Sequence, residues 1–296
     1  MMDKMAAPKL FEALSEALGA PALLIAANWR GEYGVDLDEA ALRIFYDLFD
    51  ELLGDATQIA IVLASRGGMP AFADGVVRAL SGKDIPYTVY IPCAIDGASS
   101  LIALGAREIV VHPFGGLGPV DAGPLVEPPD PLSLDAFEYW KDFPASKSRT
   151  QRKAMIRLAA ATQLRDVSRR LARRIAAAGS LPTNAVEGLF TSKMGRSMAL
   201  GAAELARLGL PARGCDAGEA SMLWDVFCRY ERELKMVEEP APRFVPSDGW
   251  VDEVEFEPAV DIPAAVIATA SREAFFELDT GSPDPDVDRL HGTWRW

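Results

Sequence analysis

The stretch YTVYIPCAIDGASSLIALGAREIVVHPFGGLGPVD, residues 87–121, decides the fold. It begins with a short apolar run at residues 87–91 and contains a second at residues 108–111, with a small-residue segment between them that favours a helix. Continuous apolar runs of this length are typical of buried parallel strands, and a helix between two of them forms a βαβ unit. The stretch therefore predicts a parallel sheet with helices on its faces.

The residues before this stretch continue the alternation of strand and helix. Apolar runs at residues 21–28 and 59–63 predict two more strands, each followed by turn residues and a helical pattern. Asp36 or Asp38 can cap the helix after the first run, because a short acidic side chain accepts hydrogen bonds from the first free amides of a helix. Further along the chain, residues 147–178 predict a long helix.

A proline-rich segment, residues 238–246, predicts a linker. We expect one α/β domain over residues 1–237 and an acidic extension over residues 238–296, in which two alternating runs favour β-strands. With 296 residues, of which 49% are hydrophobic, the chain is long enough to bury one large core. The expected fold is a parallel sheet with flanking helices and a small C-terminal β-containing appendage.

Composition argues against several classes of protein. No stretch reaches the ~18 to 20 uninterrupted apolar residues of a membrane span, and the first residues read as an amphipathic helix rather than a secretory signal. The three cysteines have no CxxC spacing and suit reduced thiols, and only two histidines accompany them, which argues against a metal site. We expect a cytoplasmic protein that does not associate with a membrane and that binds neither a metal ion nor a cofactor.

Charge is distributed unevenly along the chain. The net charge of -13 argues against general binding of nucleic acid. Residues 147–174 carry ten basic residues and one acid, whereas residues 238–296 carry fourteen acids and four arginines. The basic segment is typical of a helix face that is solvated or contacts another subunit, and it can attract the acidic extension. Trp294 and Trp296 favour an anchor into a groove of the same or another subunit.

Two glycine-rich junctions follow neighbouring predicted strands. Gly67 and Gly68 come after the second apolar run, and Gly97 stands between Asp96 and Ala98 after the third. Without a Cβ in the way, backbone N–H groups at such a junction can point at an anion or at the oxyanion of a reacting acyl group. The carboxyl ends of parallel strands lie at one edge of the sheet, where ligands bind.

Three sequence blocks in a fixed order resemble a known family. They are S-R-G-G (residues 65–68), L-I-A-L-G-A-x-E-I-V (residues 101–110) and L-G-P-V-D (residues 117–121). Together they are similar to the serine dehydrogenase proteinases, relatives of signal peptide peptidase A in the Clp-protease and crotonase superfamily. A weaker match, E-L-A-R-L-G-L, lies at residues 204–210. The resemblance implies a ClpP/crotonase-like fold, a glycine oxyanion hole, no cofactor and a homo-oligomer.

The departures from the family pattern are equally informative. Ungapped placement of the L-I-A-L block puts the nucleophilic serine of the family on Gly97, between Asp96 and Ala98. Arg66 stands where proline is usual, and Lys193 stands where the family often has a histidine. Loss of the nucleophile commonly lowers acyl-transfer rates by on the order of 10⁶. We therefore predict a serine-protease-like protein that is catalytically altered and binds a peptide or protein partner in its cleft.

An active serine hydrolase is the alternative, with Ser100 or Ser99 as nucleophile and Lys193 or His112 as base. In a helix these serines are rotated about 300° and 200° from Gly97, so that Ser100 approaches the site only if the helix starts late. Ordinary structural roles compete with these: helix capping for the serines and for Asp96, a loop hydrogen bond for His112 and solvation for Lys193. A crotonase relative that handles acyl-CoA is a third reading, because it shares the paired-glycine oxyanion hole.

Overall fold

The computed structural model describes residues 7–29, 34–121, 149–194, 198–236, 243–244, 254–255, 262–279 and 291–296. The helices are α1 (Ala7–Leu18), α2 (Glu39–Leu53), α3 (Pro70–Gly82), α4 (Ala98–Leu104), α5 (Arg149–Ala178), α6 (Thr183–Gly188), α7 (Thr191–Met194), α8 (Ala202–Leu208) and α9 (Ala217–Glu233). The strands are β1 (Ala22–Ala27), β2 (Ile59–Ala64), β3 (Tyr87–Ile91), β4 (Ala94–Ile95), β5 (Glu108–Val111), β6 (Gly116–Leu117), β7 (Ala212–Gly214), β8 (Arg243–Phe244), β9 (Val254–Glu255), β10 (Ile262–Ala268), β11 (Glu273–Asp279) and β12 (His291–Arg295).

Eight of these strands form one sheet in the order β12-β11-β10-β1-β2-β3-β5-β7. Within this sheet the five strands β1, β2, β3, β5 and β7 are parallel. Strand β10 pairs antiparallel with β1, β11 pairs antiparallel with β10, and β12 pairs antiparallel with β11. The α/β class, the parallel sheet and the C-terminal strands are as predicted. β10 to β12 extend the main sheet rather than forming a sheet of their own. The predicted boundary between residues 237 and 238 falls outside the described residues and stays a prediction.

The strands are continuous apolar runs because helices cover both faces of the sheet. All six residues of β1 and all six of β2 are buried. Helices α2 to α5 pack on the face that carries Leu23 and Ile61, whereas α1 and α9 pack on the face that carries Leu24 and Val62. Successive side chains of a strand point to opposite faces, so the two cores interleave along each strand. Parallel strands buried on both sides need this composition.

The structure shows which of two acidic residues, Asp36 or Asp38, caps the start of α2; the sequence left both as candidates. Asp38 is the N-cap, and its carboxylate accepts hydrogen bonds from the amides of Ala40 and Ala41 at 2.9 and 3.3 Å. Asp36 does not cap this helix. Its carboxylate instead accepts from the amide of Gly68, at the carboxyl edge of the sheet.

The basic helix and the C-terminal tryptophans make contacts within the chain. On α5, Arg169, Arg173 and Arg174 form ion pairs with acidic side chains of the same chain. Trp294 packs on Phe276, with ring centroids 5.5 Å apart, and the guanidinium of Arg272 lies 3.8 Å from the ring centroid of Trp296. The sequence analysis left open whether the tryptophans bind a groove of their own subunit or of another. These contacts favour their own subunit. In the part of the chain that the structure describes, no helix is long and apolar enough to cross a membrane.

Candidate site at the glycine elbow

Gly97 forms the sharp turn that leads into α4. Its backbone has φ 59° and ψ -123°, and α4 begins at the next residue, Ala98. A residue other than glycine is strained by about 1 to 3 kcal/mol in such a sparsely populated conformation. In α/β-hydrolases a strained turn that leads into a helix presents the nucleophile. The backbone at residue 97 thus has the shape of a nucleophile elbow, and its side chain is a hydrogen atom.

The loop that contains Gly67 lies directly on this elbow. A Cβ atom at Gly97 would lie 3.0 Å from the Cα atom and 3.1 Å from the carbonyl oxygen of Gly67. The amide of Ala98 donates to that same carbonyl oxygen at 3.0 Å, and the amide of Gly97 donates to the carbonyl oxygen of Pro119 at 2.9 Å. Glycine at residue 97 therefore leaves room for the close approach of the two loops.

The amides of Gly67 and Gly68 are neighbouring hydrogen-bond donors beside the elbow, and this pair of donors is here called the cradle. Both residues have positive φ, 79° and 94°, which glycine adopts readily because it has no Cβ atom. In this chain the amide of Gly67 donates to Oδ1 of Asp96 at 2.7 Å, and the amide of Gly68 donates to Oδ1 of Asp36 at 2.8 Å. The two carboxylates of the chain itself thus occupy the cradle.

Asp96 reaches Gly67 because the L-G-P-V-D block approaches it without a side chain. A Cβ atom at Gly118 would lie 2.7 Å from the carbonyl oxygen of Ile95 and 2.9 Å from Cβ of Asp96. Helix α4 has no side-chain cap at its first turn. Of the two roles considered for Asp96, the structure places it beside the predicted oxyanion hole rather than at the helix cap.

The two serines of the alternative mechanism lie inside the first turn of α4. Ser99 is buried, and Ser100 is buried with its Oγ donating to the carbonyl oxygen of Gly118 at 3.0 Å. The helix starts immediately after the elbow, so the late start that would bring Ser100 to the site does not occur. The hydroxyl of Ser100 thus donates its hydrogen bond to a backbone carbonyl and not to a general base.

His112 lies on the opposite face of the sheet from α4. Its ring stacks on Trp224 of α9, with centroids 5.3 Å apart, and its Nδ1 accepts from the amide of Phe114 at 3.1 Å. Burial lowers the pKa of the imidazole. The structure does not bring His112 together with Gly97. Alternation along β5 places residues 110 and 112 on the same face, and Val110 packs with the core beneath α1 and α9.

Asp121 is an important residue that the sequence analysis did not single out. Its fully buried carboxylate accepts from Nε of Arg169 at 2.6 Å and from the amide and hydroxyl of Thr191 at 2.6 and 3.2 Å. These contacts join α5 and α7 to the loop after β6. Lys193, two residues beyond Thr191, is exposed on α7. The acid at the end of the L-G-P-V-D block is the signal that could have identified Asp121.

Arg66 stands directly before the cradle, where the family that the sequence resembles has proline. Its Nε donates to the carbonyl oxygen of Ala94 at 3.2 Å, and its guanidinium lies 5.5 Å from the ring centroid of Trp29. Burial raises the pKa of the nearby Cys93 thiol to about 12, so this cysteine is protonated and unreactive at neutral pH. No group of histidine, cysteine and acidic side chains among the described residues is arranged to hold a metal ion.

A comparison with solved structures finds similarity to a mutant of the 1510-N membrane-bound stomatin-specific protease. The two chains are 15% identical, the match covers 60% of this chain and 73% of the protease, and the TM-score is 0.38. At this identity and TM-score the likeness says nothing about activity, substrate or partner. No protein-family model and no curated protein matches the chain.

Proposed function

We propose that this chain is a non-hydrolytic relative of the serine dehydrogenase proteinases that binds a peptide or protein partner. One observation carries the proposal. The elbow has glycine in place of a nucleophile, and the three amides around it, those of Gly67, Gly68 and Ala98, each donate to an oxygen of the chain itself. The resemblance further implies a ClpP/crotonase-like, cytoplasmic homo-oligomer.

The chemistry of acyl transfer explains why this arrangement argues against hydrolysis. A serine peptidase needs an activated nucleophile and donors about 2.7 to 3.1 Å from the developing oxyanion. Removing one such donor lowers the rate by about 10²- to 10³-fold, and removing the nucleophile by about 10⁶-fold. Here Gly97 supplies no nucleophile, and the candidate donors are already engaged.

Partner binding is supported by the ribbon of β4 and β6 beside the elbow. At its edge Leu117 and Leu200 exchange two antiparallel backbone hydrogen bonds of 2.9 Å. The edge of β6 is therefore occupied at Leu117 by a segment of the chain itself, and an extended peptide that adds through the same main-chain bonds would take the place of that segment. Met198 precedes this segment and exposes 55% of its surface, which gives an apolar contact next to the edge.

Fluorescein-labelled, unfolded casein provides a direct test of the proposal. We expect its fluorescence anisotropy to rise on addition of the wild-type chain while gel electrophoresis shows it intact. Met198→Asp should weaken binding, because it places a charge beside the ribbon. Tyr46→Asp is the matched control, since Tyr46 is an exposed residue of α2 with 47% exposure. Cleaved casein, or casein that does not bind, would reject the proposal.

A further inference from the structure

We propose that the cradle is an anion-binding site held shut by Asp96 and Asp36, and that the C-terminal carboxylate of a bound peptide competes for it. The inference rests on the proposed peptide-binding function and adds the chemical group that the site recognises. It also assigns the two aspartates an autoinhibitory role.

Two carboxylates from distant parts of the chain accept hydrogen bonds from the cradle. Asp96 and Asp36 come from separate loops, 29 and 32 residues away in sequence from the amides that they bind. Both reach hydrogen-bond distances of 2.7 and 2.8 Å. Charge-assisted bonds of this length are the strong class. Two independent anions thus occupy the cradle, which shows that consecutive amides at this turn bind carboxylate oxygens.

A buried hydroxyl and a basic side chain directly precede the cradle in the sequence. Ser65, two residues before Gly67, is fully buried, and its Oγ has no hydrogen-bond partner among the described residues. A buried hydroxyl without a partner costs about 1 to 3 kcal/mol. Arg66, the residue before Gly67, directs its Nε to the carbonyl oxygen of Ala94. The unpartnered hydroxyl of Ser65 favours a polar ligand at this turn.

In the closed state Asp96 and Asp36 accept the hydrogen bonds of the cradle, and intramolecular competition explains why this state dominates. A group tethered to its site acts at an effective concentration in the millimolar range or above. A peptide carboxylate at micromolar concentration competes poorly against Asp96 until binding elsewhere raises its own local concentration. Terminal carboxylates are a known class of ligand for backbone N–H groups.

The test compares two fluorescein-labelled hexapeptides of alanine and leucine, one with a free C-terminal carboxylate and one with a C-terminal amide. In Asp96→Ala we expect the affinity for the carboxylate peptide to rise about tenfold or more, because the internal competitor is gone. The amidated peptide should bind as it does to wild type. Asp96→Asn keeps the size and the acceptor oxygen but removes the charge, so it tests the same idea if the alanine variant does not fold.

Asp38→Ala is the matched control, because Asp38 also accepts from two backbone amides but caps α2 away from the cradle. An equal gain for both peptides, a gain in Asp38→Ala, or no gain in a folded Asp96 variant would overturn the inference. The proposed function fails separately. If casein does not bind to the wild-type chain, the proposed function is rejected. If casein binds but the Asp96 variants show no gain in affinity that is specific to the carboxylate peptide, only the inference is rejected.

Discussion

Replacing Gly97 with serine restores the side chain that the family resemblance leads one to expect, yet it should destabilise the protein. At φ 59° and ψ -123° a residue with a Cβ atom is strained by about 1 to 3 kcal/mol. The new Cβ atom also lies 3.0 Å from Cα of Gly67, tighter than ordinary contact, and overpacking of this kind typically adds about 1 to 3 kcal/mol. We expect a total loss of about 3 kcal/mol.

Urea denaturation followed by circular dichroism measures this loss, and calorimetry should show a fall in Tm of about 6 to 12 °C. Gly19→Ala is the control. Gly19 has a similar φ of 64°, but no atom lies within 4 Å of the site of its Cβ, so the variant is strained without being overpacked. It should lose about 1 to 2 kcal/mol. A Gly97→Ser protein as stable as wild type would refute the contact between the elbow and the Gly67 loop.

The same variant tests the chemistry of the cradle. Gly97→Ser should react only slowly with a fluorophosphonate probe and should not cleave peptides, because Asp96 holds the amide of Gly67. Adding Asp96→Ala should raise labelling by about 10²- to 10³-fold, the usual effect of one oxyanion donor. Rapid labelling of the single variant would show that the cradle is open.

Three further variants test individual contacts, each by urea denaturation. Asp121→Ala should cost about 3 kcal/mol, since it leaves Arg169 without its buried partner, and a loss under 1 kcal/mol would contradict the role assigned to Asp121. Ser100→Ala should cost about 1 kcal/mol and leave casein binding unchanged; lost binding would contradict a structural role. Because burial lowers the pKa of His112, the unfolded chain takes up the proton first as pH falls below about 6.5. Wild type should thus lose more stability than His112→Phe between pH 7.5 and 5.5, and equal losses would contradict this.

Local patterns in the sequence were sufficient to predict the sheet and the meeting of the two glycine junctions. Apolar runs gave β2 and β3, and parallel strands bring their carboxyl ends to one edge. Placing Gly67 beside Gly97 needed no further information. The C-terminal strands were visible as alternating runs, but their antiparallel pairing with β1 depends on contacts between residues more than 200 positions apart, which no local pattern specifies.

The occupants of the cradle could not be read from the sequence. Asp36 and Asp38 are equivalent as helix caps on local grounds, and only the folded chain brings Asp36 to Gly68. Asp121 likewise has its role through partners 48 and 70 residues away. Polar contacts of this kind depend on side-chain placement to within a few tenths of an ångström, whereas strands and helices follow from the period of the hydrophobic pattern.

The most direct test of the central claim is exposure of the wild-type chain to an excess of fluorophosphonate probe, followed by measurement of its intact mass. Because the elbow has glycine and the amides around it are engaged, the chain should keep its unmodified mass. A control that is heat-denatured before it meets the probe should also keep its unmodified mass. A stoichiometric mass increase that is lost in Ser100→Ala and prevented by prior denaturation would contradict the account, because it would show an activated serine in a working acyl-transfer site.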